Sequence, residues 1–253
     1  MCFQVESPAA RSRRDARSWD ALLPDRWYAR RGHRWLDRAL LVLVLPPALP
    51  VLAAISLVNL AVFGDPRRIL FLQPRVGWRG EVFLIWKFRT MKEPRGTALE
   101  SWSSGGDQLR VTRFGRFLRN THLDELPQLV NILRGEMSFI GPRPEMVEVE
   151  SWAAREVAGF SDRLALRPGV AGLAQVTQGY TGRDAAAYAR KLEINRRYMD
   201  RISLRLDLEI VLRTAVWMLR GKGWDWQPAP TPAPTVSVAE EPVAPPALER
   251  RAG

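Results

Sequence analysis

The chain of 253 residues is 46% hydrophobic and carries 38 Lys and Arg against 27 Asp and Glu, a net charge of +11. That apolar content excludes a disordered polycation, and the basic surface points to nucleic acid, an anionic membrane face or phosphorylated small molecules as partners. A single cysteine, Cys2, excludes an intramolecular disulfide, and two histidines, His33 and His122, provide no Cys/His zinc framework.

Residues 1–33 read as a basic N-terminal extension, with residues 1–25 expected to be a solvated tail. No apolar segment precedes Cys2, so no lipid anchor is expected there. From Arg11 to Arg38 the arginines mix with Trp19, Trp27, Tyr28 and Trp35, a composition suited to lipid headgroups.

Residues 39–64 contain no charged side chain. A bilayer crossing needs roughly 20 apolar residues, so residues 34–66 are read as a membrane segment. Pro46, Pro47 and Pro50 lie inside it, and each removes a backbone donor and crowds the preceding turn. Arg30, Arg31, Arg34 and Arg38 flank one side, and Arg67, Arg68 and Arg75 flank the other. Cationic flanks prefer the cytoplasmic face, so the pattern predicts a helix–break–helix hairpin that re-enters that face, broken at Pro46 and Pro47. A single kinked transmembrane helix is the alternative.

Beyond the hairpin, residues 67–222 read as a small α/β domain, mainly helical. Ile69–Leu72 and Glu81–Phe88 are expected as short strands or extended segments around the turn Gly77-Trp78-Arg79-Gly80. Residues 94–107 read as a Gly/Ser-rich loop, Leu109–Arg119 and Leu123–Leu133 as helices, and Gly135–Pro144 and Arg167-Pro168-Gly169 as turns. Two helices close the domain, near Ala185–Asp200 and Ser203–Arg220. In the second, Leu208, Val211, Leu212, Ala215 and Leu219 form an apolar stripe opposite Arg205, Glu209 and Arg213, the pattern of an amphipathic interface helix. The cationic–aromatic cluster Trp217, Arg220, Lys222, Trp224 and Trp226 suits the same surface. Residues 223–253, rich in Pro and Ala, are expected to be disordered.

The densest chemistry lies between Arg116 and Pro144. Asp124 and Glu125 are adjacent at the start of an apolar-periodic helix, where the dipole favours ionised carboxylates and bound phosphate. Neighbours on a helix point about 100° apart, so separate roles suit the two better than a shared proton. Acidic residues are common in first turns for structural reasons alone. Here, however, Arg116, Arg119, Arg134 and Arg143 crowd the pair, with Lys87 and Arg89 upstream and Arg163 and Arg167 downstream. Such a set could neutralise a diphosphate directly or through Mg²⁺, and a carboxylate can attack phosphorus.

Three blocks, KFRTM (87–91), LDELPQLVNILRGEMSFIGPRPE (123–145) and LRPGVAGLAQV (166–176), resemble the bacterial sugar transferase family of monotopic polyprenyl-phosphate phosphoglycosyl transferases. RWLDRALLVLVLPP resembles the family's re-entrant helix, with Pro46-Pro47 where small members carry Ser-Pro. Residues 1–33 are too short and polar for the several transmembrane helices of larger members. The resemblance implies that Asp124 attacks the β-phosphate of a nucleoside diphosphate sugar, probed most simply with UDP-sugars, and releases the nucleoside monophosphate. Polyprenyl phosphate then takes the phosphosugar, as the first membrane step of glycan assembly. It implies Mg²⁺ as cofactor, with Asp124 and Glu125 as candidate ligands; Glu125 either binds metal or assists the acceptor step. Lys87, Arg89, Arg119, Arg143 and Arg167 match the family's basic positions and are assigned to phosphate binding. The implied setting is the cytoplasmic face of a bacterial inner membrane, with downstream glycosyltransferases as further partners and no nucleic acid. A non-enzymatic basic membrane adaptor, binding anionic lipid or nucleic acid, is the competing class.

Overall fold

The computed structural model describes residues 19–24, 27–92, 110–179 and 182–219. The expected 94–107 loop, the cluster at Arg220, Lys222, Trp224 and Trp226, and the Pro/Ala-rich tail lie outside the described residues.

A short π-helical turn, Tyr28–Gly32, leads into the long helix α1 (His33–Phe63). The helix is continuous across Pro46, Pro47 and Pro50, so the secondary-structure break expected at Pro46-Pro47 is absent. The three prolines share the exposed face, and each deletes one ladder bond there while its own φ remains helical. A proline-opened outer face lets a helix bend toward the protein it packs on. The buried face runs the whole length: His33, Asp37, Ala48, Ile55 and Asn59 recur at helical spacing. Near the start, the Asp37 carboxylate accepts from Ser138 Oγ (2.7 Å) and Phe139 N (2.9 Å). Near the end, Asn59 Nδ2 donates to Ile69 O and Arg89 O at 3.0 and 3.1 Å. These two anchors stand roughly 33 Å apart at the helical rise, and both attach to one domain.

A left-handed Gly64 (φ 69°) ends α1 and hands the chain to the antiparallel hairpin β1 (Leu70–Val76) and β2 (Val82–Phe88), in the register Leu70↔Phe88 to Val76↔Val82. The second strand and the intervening turn agree with the sequence reading, while the first runs on to Val76, four residues past its expected end at Leu72. Next come α2 (Arg113–Thr121), a 3₁₀ segment Leu123–Gln128, and the short helix α3 (Leu129–Leu133). The expected single helix 123–133 is thus divided, because Pro127 has no N–H to continue an α-helical ladder.

The turn-rich stretch Gly135–Pro144 contains a strand that was not expected, β3 (Ser138–Ile140). It pairs in parallel with β4 (Gly169–Ala171). Between them lie α4 (Val147–Glu156) and a 3₁₀ segment, Phe160–Ala165; after β4 follow α5 (Leu173–Gln178), α6 (Ala185–Arg201) and α7 (Leu204–Leu219). The glycines of the two turn motifs explain this pairing. A Cβ on Gly141 would stand 2.4 Å from Arg167 O, and one on Gly169 would stand 2.1 Å from Gly141 N. Backbone approaches backbone at that point, so Gly141 N donates to Ala171 O and Gly169 N to Pro142 O.

Two further expectations change. Trp19, placed in the solvated tail, is buried at 4% exposure in the cluster with Val76, Ile140, Leu164, Tyr198 and Ile210, while Asp20 pairs with Arg79. Its large apolar ring outweighs the polarity of its neighbours. On α7, the apolar Leu208 and Leu212 are exposed at 49% and 65%, whereas Asp207 and Ile210 are fully buried. Asp207 is held inside by Tyr28 OH (2.6 Å), Tyr198 OH (2.7 Å) and His33 Nε2 (3.5 Å), which ties α7 to the start of α1. The outward apolar stripe of α7 lies beside Arg205, Glu209 and Arg213, which are also exposed.

Candidate functional site

The dyad is carried on the first turn of the 3₁₀ segment that follows α2. His122, left-handed at φ 56°, turns the chain between the two. This segment packs on β2, and Lys87 of β2 reaches Glu125. Glu125 Oε1 accepts from Lys87 Nζ at 2.6 Å and from Arg143 Nη2 at 2.9 Å. Burial alone would raise Glu125, but Arg143 and Lys87 together hold it well below the usual carboxylate range. Asp124 makes no side-chain hydrogen bond or ion pair among the described residues. Burial and the Glu125 charge push it up to about 6, against the pull of Lys87, Arg119 and Arg143. Adjacent carboxylates therefore have opposite environments: Glu125 is a locked anion and Asp124 an unpartnered base.

Glu125 and Arg143 reach the wall of a cavity of about 400 Å³. Its polar part also includes Arg75, His122, Glu145, Tyr188 and Lys191, and its apolar part includes Leu126, Leu129, Phe139, Val170 and Val176. Val44 of α1 and Thr214 and Met218 of α7 close the remaining side. Lys191 pairs with Glu145, and Lys191 and Arg163 hold Glu145 below its ordinary value although burial opposes them. Arg163, itself buried, pairs with Glu150 and donates to Arg143 O at 3.0 Å, which fixes the backbone carrying Arg143. Burial lowers His122, so its ring stays neutral near pH 7.

The predicted basic residues separate into two groups. Lys87 and Arg143 bond Glu125 directly. Arg119 acts electrostatically on Asp124, its own Nε donating to Thr90 Oγ1 at 3.0 Å. Arg89 is turned elsewhere, with its guanidinium 6.0 Å from the Phe71 ring centre. Arg167 is also elsewhere: its Nε donates to Gly135 O at 2.8 Å and its guanidinium lies 4.6 Å from the Trp78 ring centre. Arg167 faces Arg34, Asp37 and Arg79 rather than the dyad, held there by Gly135 O and the Trp78 ring. Arg75, Glu145, Tyr188 and Lys191 were missed as site residues. In the sequence Arg75 reads only as a flank of the apolar run, and nothing in the local pattern links it to residues seventy positions away.

As to metal, no group of three or more His, Cys, Asp or Glu side chains among the described residues could hold an ion alone. One or two carboxylates, with water and substrate phosphate completing the shell, are what Mg²⁺ commonly takes from a protein. The open Asp124 and its neighbour Glu125 fit that requirement.

Residues 28–221 match the family model for bacterial sugar transferases. The chain is 38% identical over 205 residues to the UDP-N-acetylgalactosamine-undecaprenyl-phosphate N-acetylgalactosaminephosphotransferase of Aeromonas hydrophila, covering 80% of this chain and 47% of that protein. It is 34% identical over 191 residues to the UDP-glucose:undecaprenyl-phosphate glucose-1-phosphate transferase of Xanthomonas campestris pv. campestris, covering 74% and 38%. With the uncharacterized sugar transferase EpsL of Bacillus subtilis it shares 35% identity over 176 residues, covering 68% of this chain and 79% of EpsL. The chain thus spans less than half the length of the first two relatives.

Proposed function

The chain belongs to the bacterial sugar transferase family, and from that premise we propose that it transfers a phosphosugar from a UDP-sugar to polyprenyl phosphate through a covalent intermediate on Asp124. The observation that carries this reading is the asymmetry of the dyad. Asp124 is unpartnered and basic enough to attack, while Glu125 is held ionised by Lys87 and Arg143.

In the first step an Asp124 carboxylate oxygen attacks the β-phosphorus. The bond from that phosphorus to the bridging oxygen breaks, and UMP leaves with the electron pair. In the second, a phosphate oxygen of the lipid attacks the same phosphorus, the acyl-phosphate bond breaks, and Asp124 regains its carboxylate. One phosphoanhydride replaces another, so catalysis rests on positioning and charge neutralisation. Lys87 and Arg143 are fixed by Glu125 before substrate arrives, and Arg119 adds positive charge near Asp124. Mg²⁺ bound by Asp124 and Glu125 would supply Lewis-acid neutralisation of the diphosphate.

The membrane reading rests on α1, which is long and apolar enough to enter a bilayer and is bound to one domain along its length. Its outer face exposes Val42 and Leu43 at 76% and 71%. A helix crossing the bilayer would carry one anchor away from the domain that Asp37 and Asn59 both hold. Entry from the cytoplasmic face without crossing keeps both. The exposed stripe of α7 suits the same surface. A membrane adaptor would have no use for a half-buried, asymmetric carboxylate pair.

Asp124→Asn tests the reaction. It removes the nucleophile but no side-chain bond, so the variant should fold with an unchanged Tm. It should release no UMP from a UDP-sugar accepted by the wild type and form no phosphosugar adduct by mass spectrometry. An adduct on another residue, or turnover near wild type, would sink the assignment.

A further inference from the structure

Among the described residues, Arg75 is the one Lys or Arg on the cavity wall that forms no ion pair with a carboxylate. On β1, its Nη1 donates to Pro144 O at 3.1 Å and its Nη2 to Gln73 Oε1 at 2.6 Å, which orients the guanidinium plane. Its Nε is buried without a partner, and Arg75 forms no ion pair among the described residues. Both carboxylates on the cavity wall are committed: Glu125 to Lys87 and Arg143, Glu145 to Lys191. The wall's cations therefore exceed its carboxylates, with Arg75, Arg143 and Lys191 against Glu125 and Glu145. Burial and the facing charge of Arg143 push Arg75 down to about 10. Two guanidiniums facing one another on a half-buried wall repel, and an anion between them removes that cost.

We propose that Arg75 and Arg143 together grip the phosphate of the lipid acceptor, in a cavity whose wall combines cationic and apolar side chains. This rests on the phosphosugar-transfer reading and adds the acceptor's subsite to it. A planar guanidinium fork suits phosphate oxygens, and the pair would engage the same phosphate from two sides. The surrounding wall selects the source of that phosphate. Phe139 and Val170 are apolar, Val44 comes from α1 and Met218 from α7, the two helices whose outer faces are apolar and exposed. A phosphate with a prenyl tail matches both kinds of lining. A nucleotide sugar would set its hydroxyls against apolar carbon.

The test uses the full chain in lipid nanodiscs, with farnesyl phosphate and inorganic phosphate as probes. Arg75→Gln should weaken farnesyl phosphate binding by about tenfold or more in calorimetry, the scale of a lost charge-assisted contact. Wild type should prefer farnesyl phosphate to inorganic phosphate. In turnover, the loss should fall on the acceptor's kcat/KM, mainly through KM, and exceed any reduction in the UMP burst measured without acceptor. Arg75→Lys, which keeps the charge and loses the fork, should lie between the two, and it decides the matter if the glutamine variant does not fold. Unchanged farnesyl phosphate affinity in the folded variant overturns the proposal. So does a UMP burst that falls as far as turnover, which would assign Arg75 to the donor, or equal binding of the two probes. Failure of wild type to release UMP from any UDP-sugar would count against the transfer reaction, while the binding arm still judges Arg75.

Discussion

Replacing Glu125 with glutamine removes one negative charge while keeping the side chain's shape, and the site geometry predicts two effects. The first is on stability. Glu125 accepts hydrogen bonds from Lys87 and Arg143, and bonds to charged groups are worth about 1.5–3 kcal/mol each. Cutting a buried pair costs about 3–5 kcal/mol, and the retained amide oxygen still accepts, so a loss of about 2–4 kcal/mol is expected. For a chain of this size that lowers Tm by roughly 5–15 °C. The second effect is on Asp124, which stands at about 6 partly because Glu125 is charged. Without that charge, Lys87 and Arg143 are no longer neutralised, and both changes favour ionised Asp124. Its pKa should fall by about 1–2 units. Protonated Asp124 does not attack, so the UMP burst is lost as pH falls through its pKa. In wild type that acid limb should lie near 6; in Glu125→Gln it should move lower, with a lower plateau because the carboxylate is less basic. Single-turnover UMP release between roughly pH 4 and 8 reads both limbs directly. An acid limb that stays in place or moves upward refutes the electrostatic account of the dyad.

Asp207→Ala removes the acceptor of two tyrosine hydroxyls and the partner of His33, so it should destabilise by about 2–4 kcal/mol, read as a lower Tm in detergent. Leu208→Ser with Leu212→Ser should leave Tm in place, because both side chains are exposed, and should weaken vesicle association. About 1.5–3 kcal/mol per leucine is at stake, and unchanged flotation would mean that this stripe does not meet lipid. Cysteines at Arg31 and Arg67, with Cys2 replaced, should label from the same side of sealed vesicles. Labelling from opposite sides would establish a span.

The sequence alone determined what depends on nearest neighbours. The charge-free run 39–64, the hairpin around Gly77–Gly80 and the helix near Ala185–Asp200 follow from composition, turn residues and local pattern, all of which act within a few residues. The dyad's position on a first turn was legible for the same reason. Only tertiary structure decided which of many cations serve it. Lys87 meets Glu125 across 38 positions, while Arg167, inside a matching motif, turns to Gly135 O and the Trp78 ring. The same holds for α1 and α7. Proline's local penalty predicted a break, but packing along one face keeps α1 helical through residues 46–50. The apolar period of α7 found its stripe, and the buried Asp207 anchor decides which side of the helix faces the protein. Periodicity records that a face is apolar; which face meets protein depends on partners distant in the chain, and a one-dimensional pattern holds no term for them.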